Sequence, residues 1–300
     1  MPETSGFEAM NQSCTIIIVS YNCRDALREC LGKLARSGDM PPVIVVDNAS
    51  MDGSIEMVAH NFPPVQLIRN ARNCGFAAAC NQGIRASNAD FILLLNPDTL
   101  VECAELQKLH DAMNTRPNIG ACGPRILNVS GSLQPSCRRF PSLWAMTCDE
   151  LGLGRLFPHS RLFATYRMSG WAHDETREVD QLMGSCLLLR SAALDAVGPL
   201  DERFFLYFEE VDLCWRLWRG GWRVLFVAGA TVTHGGGASS NADRPTALRH
   251  RYRSLFAFYR KHYPRWQLPI LKAVVQIATL ARVALKQRDY WSVAKDVWKL

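Results

Sequence analysis

The chain has 300 residues, 48% of them apolar, with 34 Lys and Arg against 28 Asp and Glu and a formal net charge of +6. That composition excludes a disordered or fibrous chain and leaves one large or two small globular domains with a sizeable core. The 11 cysteines include no C-x-x-C pair, and Cys14 and Cys186 lie in apolar runs, which argues against a disulfide framework or zinc site and for buried thiols in a reducing compartment.

Met1 to Ser13 is polar and has no signal pattern, so 1–13 reads as a flexible leader. Cys14–Ser20 is β-branched and apolar and predicts a first buried strand. Helical spacing of apolar residues follows over Arg24–Arg36. Strands at Pro42–Val46, Val65–Ile68 and Asp90–Leu95 then alternate with helices at Ser54–Asn61, Gly75–Ser87 and Glu102–Thr115. That alternation predicts βαβ units and a doubly wound, Rossmann-like, mostly parallel sheet. Beyond Thr115 the pattern loosens. Ile119–Cys122 and Arg125–Asn128 read as short strands, and Gln134–Glu178 as a long irregular stretch of the functional or lid type. Strand character returns at Val179–Leu189, Trp222–Val227 and Thr231–Thr233, with helices at Ser191–Val197, Glu209–Arg219, Pro245–His262 and Gln267–Gln287. No run of about 18 uncharged apolar residues is present, so no spanning helix is expected.

Asn96-Pro97-Asp98 is the most informative motif. Pro97 stops the apolar run Phe91–Leu95, and Asp98 is delivered at the strand's carboxyl end, where open α/β sheets bind ligands. A carboxylate there suits a hard divalent cation that bridges nucleotide phosphates; the bland alternative is a cap for the following helix. Ser20-Tyr21-Asn22 ends strand one and Asp47-Asn48 ends strand two, on the same rim. An Asp ending strand two can accept hydrogen bonds from a base or ribose, or from its own turn. In Asn73-Cys74-Gly75-Phe76 and on to Asn81, Gly75 permits close backbone approach to a ligand or a tight helix start. Glu209, Glu210 and Asp212 follow an aromatic run at a helix start, where the dipole alone favours acids; a carboxylate beside aromatic walls can also take a proton from a hydroxyl. His234 precedes the glycine run Gly235-Gly236-Gly237 and could complete a metal shell begun by Asp98.

Together these motifs, in this order from about Thr15 to about Tyr263, resemble family 2 glycosyltransferases of GT-A fold, nearest to the bacterial rhamnosyltransferase-like branch. The resemblance implies a GT-A domain over 14–243, with a nucleotide-binding half 14–128 and an acceptor half 129–243. It implies that Asp47 binds the donor's base and ribose, and that Asp98 is the metal-binding acid of the D-x-D position, whose first acid is here Asn96. Mg²⁺ or Mn²⁺ would be held by Asp98, His234, diphosphate oxygens and water. Ser20, Tyr21, Asn22, Asn48, Asn73, Gly75, Phe76, Asn81 and Asn96 complete the expected nucleotide-sugar site. Glu210 matches the catalytic base, where Asp is usual, so Glu209 and Asp212 stand as rivals. The implied reaction is inverting transfer, with dTDP-rhamnose the first guess for donor and a cell-envelope glycan or lipid-linked hydroxyl as acceptor. Trp144, Trp171 and Tyr166 are candidate sugar platforms. The opposing reading is a non-catalytic nucleotide-binding or membrane-scaffold protein. A dinucleotide dehydrogenase is disfavoured, because no G-x-G-x-x-G is present.

The segment 244–300 reads as a basic amphipathic helical tail. From Arg249 onward many Lys and Arg are opposed only by Asp289 and Asp296, with Trp266, Trp291 and Trp298 nearby. That fits an anionic membrane surface contacted through 249–300, hence a cytoplasmic protein peripheral to the inner face of the plasma membrane, or else a packed helix with a solvated basic face. No nucleic-acid module accompanies the charge.

Overall fold

The computed structural model describes residues 3–36, 38, 40–236 and 243–300, with side chains from residue 8 onward. The nucleotide half is built as the alternation requires. β1 (Cys14–Ser20), β2 (Val43–Asp47), β3 (Gln66–Arg69) and β4 (Phe91–Leu95) are all parallel, in the order β3-β2-β1-β4. Helices α2 (Arg24–Arg36), α3 (Ser54–Asn61) and α4 (Phe76–Arg85) provide the crossovers. β1, β2 and β4 are buried along their whole length, which is why they read as unbroken apolar runs. One face of the sheet buries Ile16, Ile18, Val45 and Leu93 under α2; the other buries Ile17, Val46 and Leu94 under α4.

Past β4 the sheet becomes mixed in strand direction. β5 is the dipeptide Thr99-Leu100, α5 spans Cys103–Asn114, and β6 runs unbroken from Ile119 to Leu127. The two short strands expected around Gly123-Pro124 are therefore one. The irregular stretch contains the two-residue strand β7 (Cys137–Arg138), helices α6 (Leu143–Glu150) and α7 (Leu153–Leu156), and β8 (Arg177–Glu178). The strand expected over Val179–Leu189 is split into β9 (Gln181–Leu182), which pairs with β7, and β10 (Cys186–Arg190). β10 lies between β4 and β6, antiparallel to both. Its reversed direction sets Gly184-Ser185 beside the end of β4, where Ser185 O accepts from Asn96 N at 2.9 Å. After α8 (Ser191–Val197) and α9 (Glu209–Arg219), β11 covers Arg223–His234, with an irregularity between Val227 and Thr231 where two strands had been expected.

The leader is not loose over its length. Glu3–Ser13 is helical (α1), Met10 is 1% exposed, and Ser13 Oγ lies 2.9 Å from His110 Nε2 on α5. A polar composition hid one apolar anchor. The tail is likewise part of the body. α10 (Arg244–His262), α11 (Gln267–Ala284) and α12 (Trp291–Asp296) share a third core with Phe204, Phe208, Val211 and Met146, in which Tyr252, Phe256, Phe258 and Tyr259 are almost fully buried. Much of the basic excess is neutralised inside: Arg251 and Arg282 bond Glu150, Arg249 bonds Asp296, and Lys261 bonds Asp201 and Asp212. α11 is nonetheless long and apolar enough by itself to cross a membrane, with mean hydropathy 1.2. It buries Leu271 and Val275 in the third core and exposes Ile270, Ile277 and Leu280.

Asp212 is fully buried and accepts from Lys261 Nζ at 2.6 Å and Arg216 Nε at 2.8 Å, with His262 Nε2 also at 2.6 Å. Burial alone would raise this carboxyl; the bonds from His262, Lys261 and Arg216 outweigh it and hold it below its usual range. Asp212 is thus the joint between α9 and α10. Removing one member of a buried ion network costs about 3–5 kcal/mol. Asp212→Ala should therefore lower the denaturation midpoint strongly. In the wild type this contribution should be present above the unfolded carboxyl pKa and be lost as pH falls through the lowered folded value. Equal urea midpoints for the two proteins at pH 7 would refute the joint.

Candidate active site

A cavity of about 910 Å³ opens at the carboxyl rim of the parallel strands. Tyr21, Asn48, Asn73, Phe76, Asn96 and Asp98 line it from the nucleotide half; Glu209, Glu210 and His234 line it from the acceptor half. Residues more than a hundred positions apart are brought to one space, as the motif order required.

The Asp98–His234 pair is the most defined part. β11 runs antiparallel to β5, with His234 opposite Thr99, so the imidazole is laid against Asp98. His234 Nε2 is 3.2 Å from Asp98 Oδ1, and both side chains are about nine-tenths buried. Asp98 does not cap α5, which begins at Cys103 with Glu102 as its N-cap residue. Gln134 sets the tautomer. Its Nε2 donates to Asn128 Oδ1 at 3.0 Å, which turns its Oε1 toward His234 Nδ1 at 2.8 Å. Nδ1 then carries the proton, and Nε2, which makes no hydrogen bond, turns its lone pair toward a carboxylate oxygen of Asp98. Two electron-rich atoms held that close fit a cation between them. Among the described residues no group of three or more His, Cys, Asp or Glu converges on one point, so two protein donors leave room for phosphate oxygens and water. The rest of the glycine run, from Gly237 on, lies outside the described residues.

The acids at the start of α9 follow an unusual turn. Tyr207 and Phe208 both have positive φ, 66° and 70°, a conformation that non-glycine residues hold only when the surroundings impose it. Phe208 is clamped by the third core, and Ser254 Oγ of α10 donates to Leu206 O at 2.9 Å. The turn presents Glu209 and Glu210 to the cavity, each with Oε2 buried and unbonded. Burial raises both carboxyls; the Glu210 charge raises Glu209 further, so that it lies well above the usual range. For Glu210, backbone hydrogen bonds and the Arg138 charge oppose the rise. Burial and the neighbouring charge thus favour the neutral form of Glu209, while backbone donors and Arg138 favour the ionised form of Glu210, and the two carboxyls resist ionising together. Asp212 does not reach the cavity, so the third rival for the base is a structural residue.

Several expected donor contacts have other partners. Gly75, at φ 90°, approaches residue 205 and not open space: a Cβ there would meet Phe205 Cδ2 and O at 2.8 Å, and Phe76 N donates to Phe205 O at 2.7 Å. Asn81 binds Leu200 O and N and Glu202, and so ties α4 to the loop before α9. Ser20 is buried against Cys23, and Asn22 Oδ1 accepts from Met51 N; neither lines the cavity. Asp47 Oδ2 accepts from Ser50 N at 2.9 Å, the turn bond of the bland reading, but Oδ1 is buried without a partner. Asn48 is a hub that bonds Asn70, Asn73, Cys74 and Gly75 while lining the cavity. Of the three proposed sugar platforms, Trp171 stacks on His173 at 4.2 Å and Trp144 Nε1 donates to Leu162 O; only Tyr166 reaches a cavity wall. Gln134 and Ser185 went unnoticed in the sequence. Both lie in segments without a motif, and Ser185 depends on the direction of β10. His250, stacked on Phe205 at 4.7 Å, joins the lining from α10.

Comparison with known proteins fits this geometry. The model of glycosyl transferase family 2 matches residues 15–168. The N-acetylglucosaminyl-diphospho-decaprenol L-rhamnosyltransferase of Mycobacterium tuberculosis is 32% identical over 274 residues, 87% of this chain and 89% of that one. The rhamnosyltransferase WbbL of Escherichia coli is 23% identical over 81% of this chain and 91% of its own. Among solved structures, the mannosyltransferase PcManGT of Pyrobaculum calidifontis, in complex with GDP-Man and Mn²⁺, aligns with a TM-score of 0.55 over 95% of this chain and 84% of that one at 17% identity. The likeness in structure shows the GT-A fold; the match in sequence shows that the chain belongs to glycosyl transferase family 2, as a rhamnosyltransferase-like glycosyltransferase.

Proposed function

We propose that the protein is an inverting, metal-dependent rhamnosyltransferase that moves L-rhamnose from dTDP-rhamnose to a hydroxyl of a lipid-diphosphate-linked sugar. The observation that carries the reading is the single cavity that holds the Asp98–His234 pair and an ionisable Glu210 together. The donor sugar and the acceptor rest on the name of the 32% identical relative. The non-catalytic reading is disfavoured, because a binding module has no use for two buried carboxylates facing its ligand space.

In this mechanism Tyr21, Asn48, Asn73 and the Asp47 oxygen hold the nucleoside. Asp98 and His234 would hold Mg²⁺ or Mn²⁺ against the diphosphate, which when bound supplies charge neutralisation for the leaving group. Glu210 Oε2 accepts the proton of the acceptor hydroxyl. The freed oxygen forms a bond to the anomeric carbon from the face opposite the diphosphate, and the bond from that carbon to the diphosphate oxygen breaks with its electron pair. No sugar–enzyme bond forms, and configuration inverts. Glu209, protonated, adds a neutral donor without adding repulsion.

Thermal-shift titration tests the donor assignment. dTDP and dTDP-rhamnose with Mn²⁺ should raise the melting temperature more than UDP or GDP sugars, because a ligand that binds only the native state stabilises it by mass action. A preference for GDP-mannose would overturn the donor. The acceptor reading also places the protein at an anionic membrane, with the exposed Ile270, Ile277 and Leu280 face of α11 and Trp266 at its start meeting the lipid. Ile277→Asp combined with Leu280→Asp should abolish flotation with phosphatidylglycerol vesicles and leave soluble activity intact. Unchanged flotation would remove α11 from the contact.

A further inference from the structure

A second, smaller cavity of about 140 Å³ shares Met183, Tyr207 and Glu210 with the main one. Its remaining wall includes Ser136, Arg138, Tyr166 and Arg251. Arg138 is the anomaly. Burial pushes its guanidinium below the usual range, yet it donates only to the carbonyls of Pro135 and Cys137, each at 2.8 Å, among the described residues. It forms no salt bridge with any carboxylate among the described residues. The side chain is half-buried and bonds no carboxylate, which leaves donors for an anion, and Arg geometry is suited to phosphate. Ser136, 2% exposed, adds an Oγ without a hydrogen-bond partner to the same wall.

The neighbourhood carries a surplus of positive charge. Arg167 pairs with Asp149, Arg251 with Glu150 and more loosely with Asp149, and Arg282 with Glu150. Four guanidiniums, Arg138 included, thus face two carboxylates, next to a Glu210 that must ionise to act. The pocket is too small for a nucleotide and lies on the acceptor side of Glu210, away from Asp98 and His234.

We infer that this pocket is an acceptor-phosphate subsite: Arg138, with Ser136 and Arg251 around it, receives a phosphoryl group of the acceptor and so fixes its sugar hydroxyl at Glu210. The inference rests on the lipid-diphosphate reading given above and names the part of the acceptor that is recognised. A charge-assisted contact of this kind accounts for specificity between a sugar diphosphate and a plain glycoside of the same sugar.

The test uses the full chain with its donor site filled by dTDP and Mn²⁺. Calorimetric titration with hexyl diphosphate should show binding by the wild type, about tenfold or more weaker binding by Arg138→Gln, and partial recovery in Arg138→Lys. Inorganic phosphate in the same titration distinguishes a free-anion site, which would bind it as tightly as the hexyl ester and overturn the acceptor assignment. In transfer assays with a hexyl-diphospho-N-acetylglucosamine acceptor, run at a pH on the plateau of each protein's profile, Arg138→Gln should raise KM about tenfold, a clearly larger loss than on hexyl N-acetylglucosaminide, which has no phosphoryl group to lose. Equal losses on both acceptors would make Arg138 a support for Glu210 and overturn the subsite. If the wild type binds hexyl diphosphate but transfers to neither acceptor, the subsite stands and the acceptor sugar proposed above falls.

Discussion

Glu210→Gln should lower the rate of sugar transfer by about a thousandfold while changing the affinity for dTDP with Mn²⁺ by no more than about twofold. The substitution keeps the size of the side chain and its place at the start of α9 but removes the carboxylate proposed to take the hydroxyl proton. Glu209→Gln is the control. Burial and the Glu210 charge favour the neutral form of Glu209, which the amide resembles, so the loss should be about tenfold or less. The wild-type pH profile carries the same signature. The base works only when ionised, and burial raises Glu210, so kcat/KM should climb as pH rises through that raised value, with its acid limb above the range of an ordinary glutamate. In Glu210→Gln that limb should vanish with the activity. Transfer within tenfold of wild type in Glu210→Gln would reassign the base to Glu209.

Asp98→Ala should weaken dTDP binding in Mn²⁺ by about a hundredfold and make it indifferent to EDTA. The described residues offer two donors to the proposed cation, so losing one leaves His234 as the remaining donor. Gln134→Leu should have a smaller effect of the same kind, about tenfold, because it frees the imidazole to place its proton on Nε2, where it faces Asp98 in place of a cation. Calorimetry of dTDP with and without Mn²⁺ decides both. Metal-enhanced affinity that survives in Asp98→Ala would remove the cation from this pair.

The features that could be read from the chain are those in which local chemistry and final position coincide. Ile16, Val45 and Leu93 lie in apolar runs too long to be half-exposed, and their strands fell where expected. Asp98 and His234 each end a strand, so their rim was implied before their distance was known. What stayed hidden depends on direction and on packing between distant parts. Nothing local in Cys186–Arg190 reveals that β10 runs backwards, and with it the contribution of Ser185. Asp212 has the same composition cue as Glu209 and Glu210; only the arrival of Lys261 and His262 from α10 turns it inward. Gly75 signals close approach correctly, but its neighbour is Phe205 and not a ligand. The basic stretch after Arg249 looked like a surface until Glu150 and Asp296 were found beneath it.

Phe208, Leu206 and Asp212 are each fastened by α10. A premature stop within α10 (residues 244–262) would therefore be a lesion of the candidate reaction centre itself, even though every acid in it would still be translated. Variation in those closing helices should be tolerated mainly where Ile277 and Leu285 face outward, and be as damaging at Ser254, Phe258 or Lys261 as within the cavity.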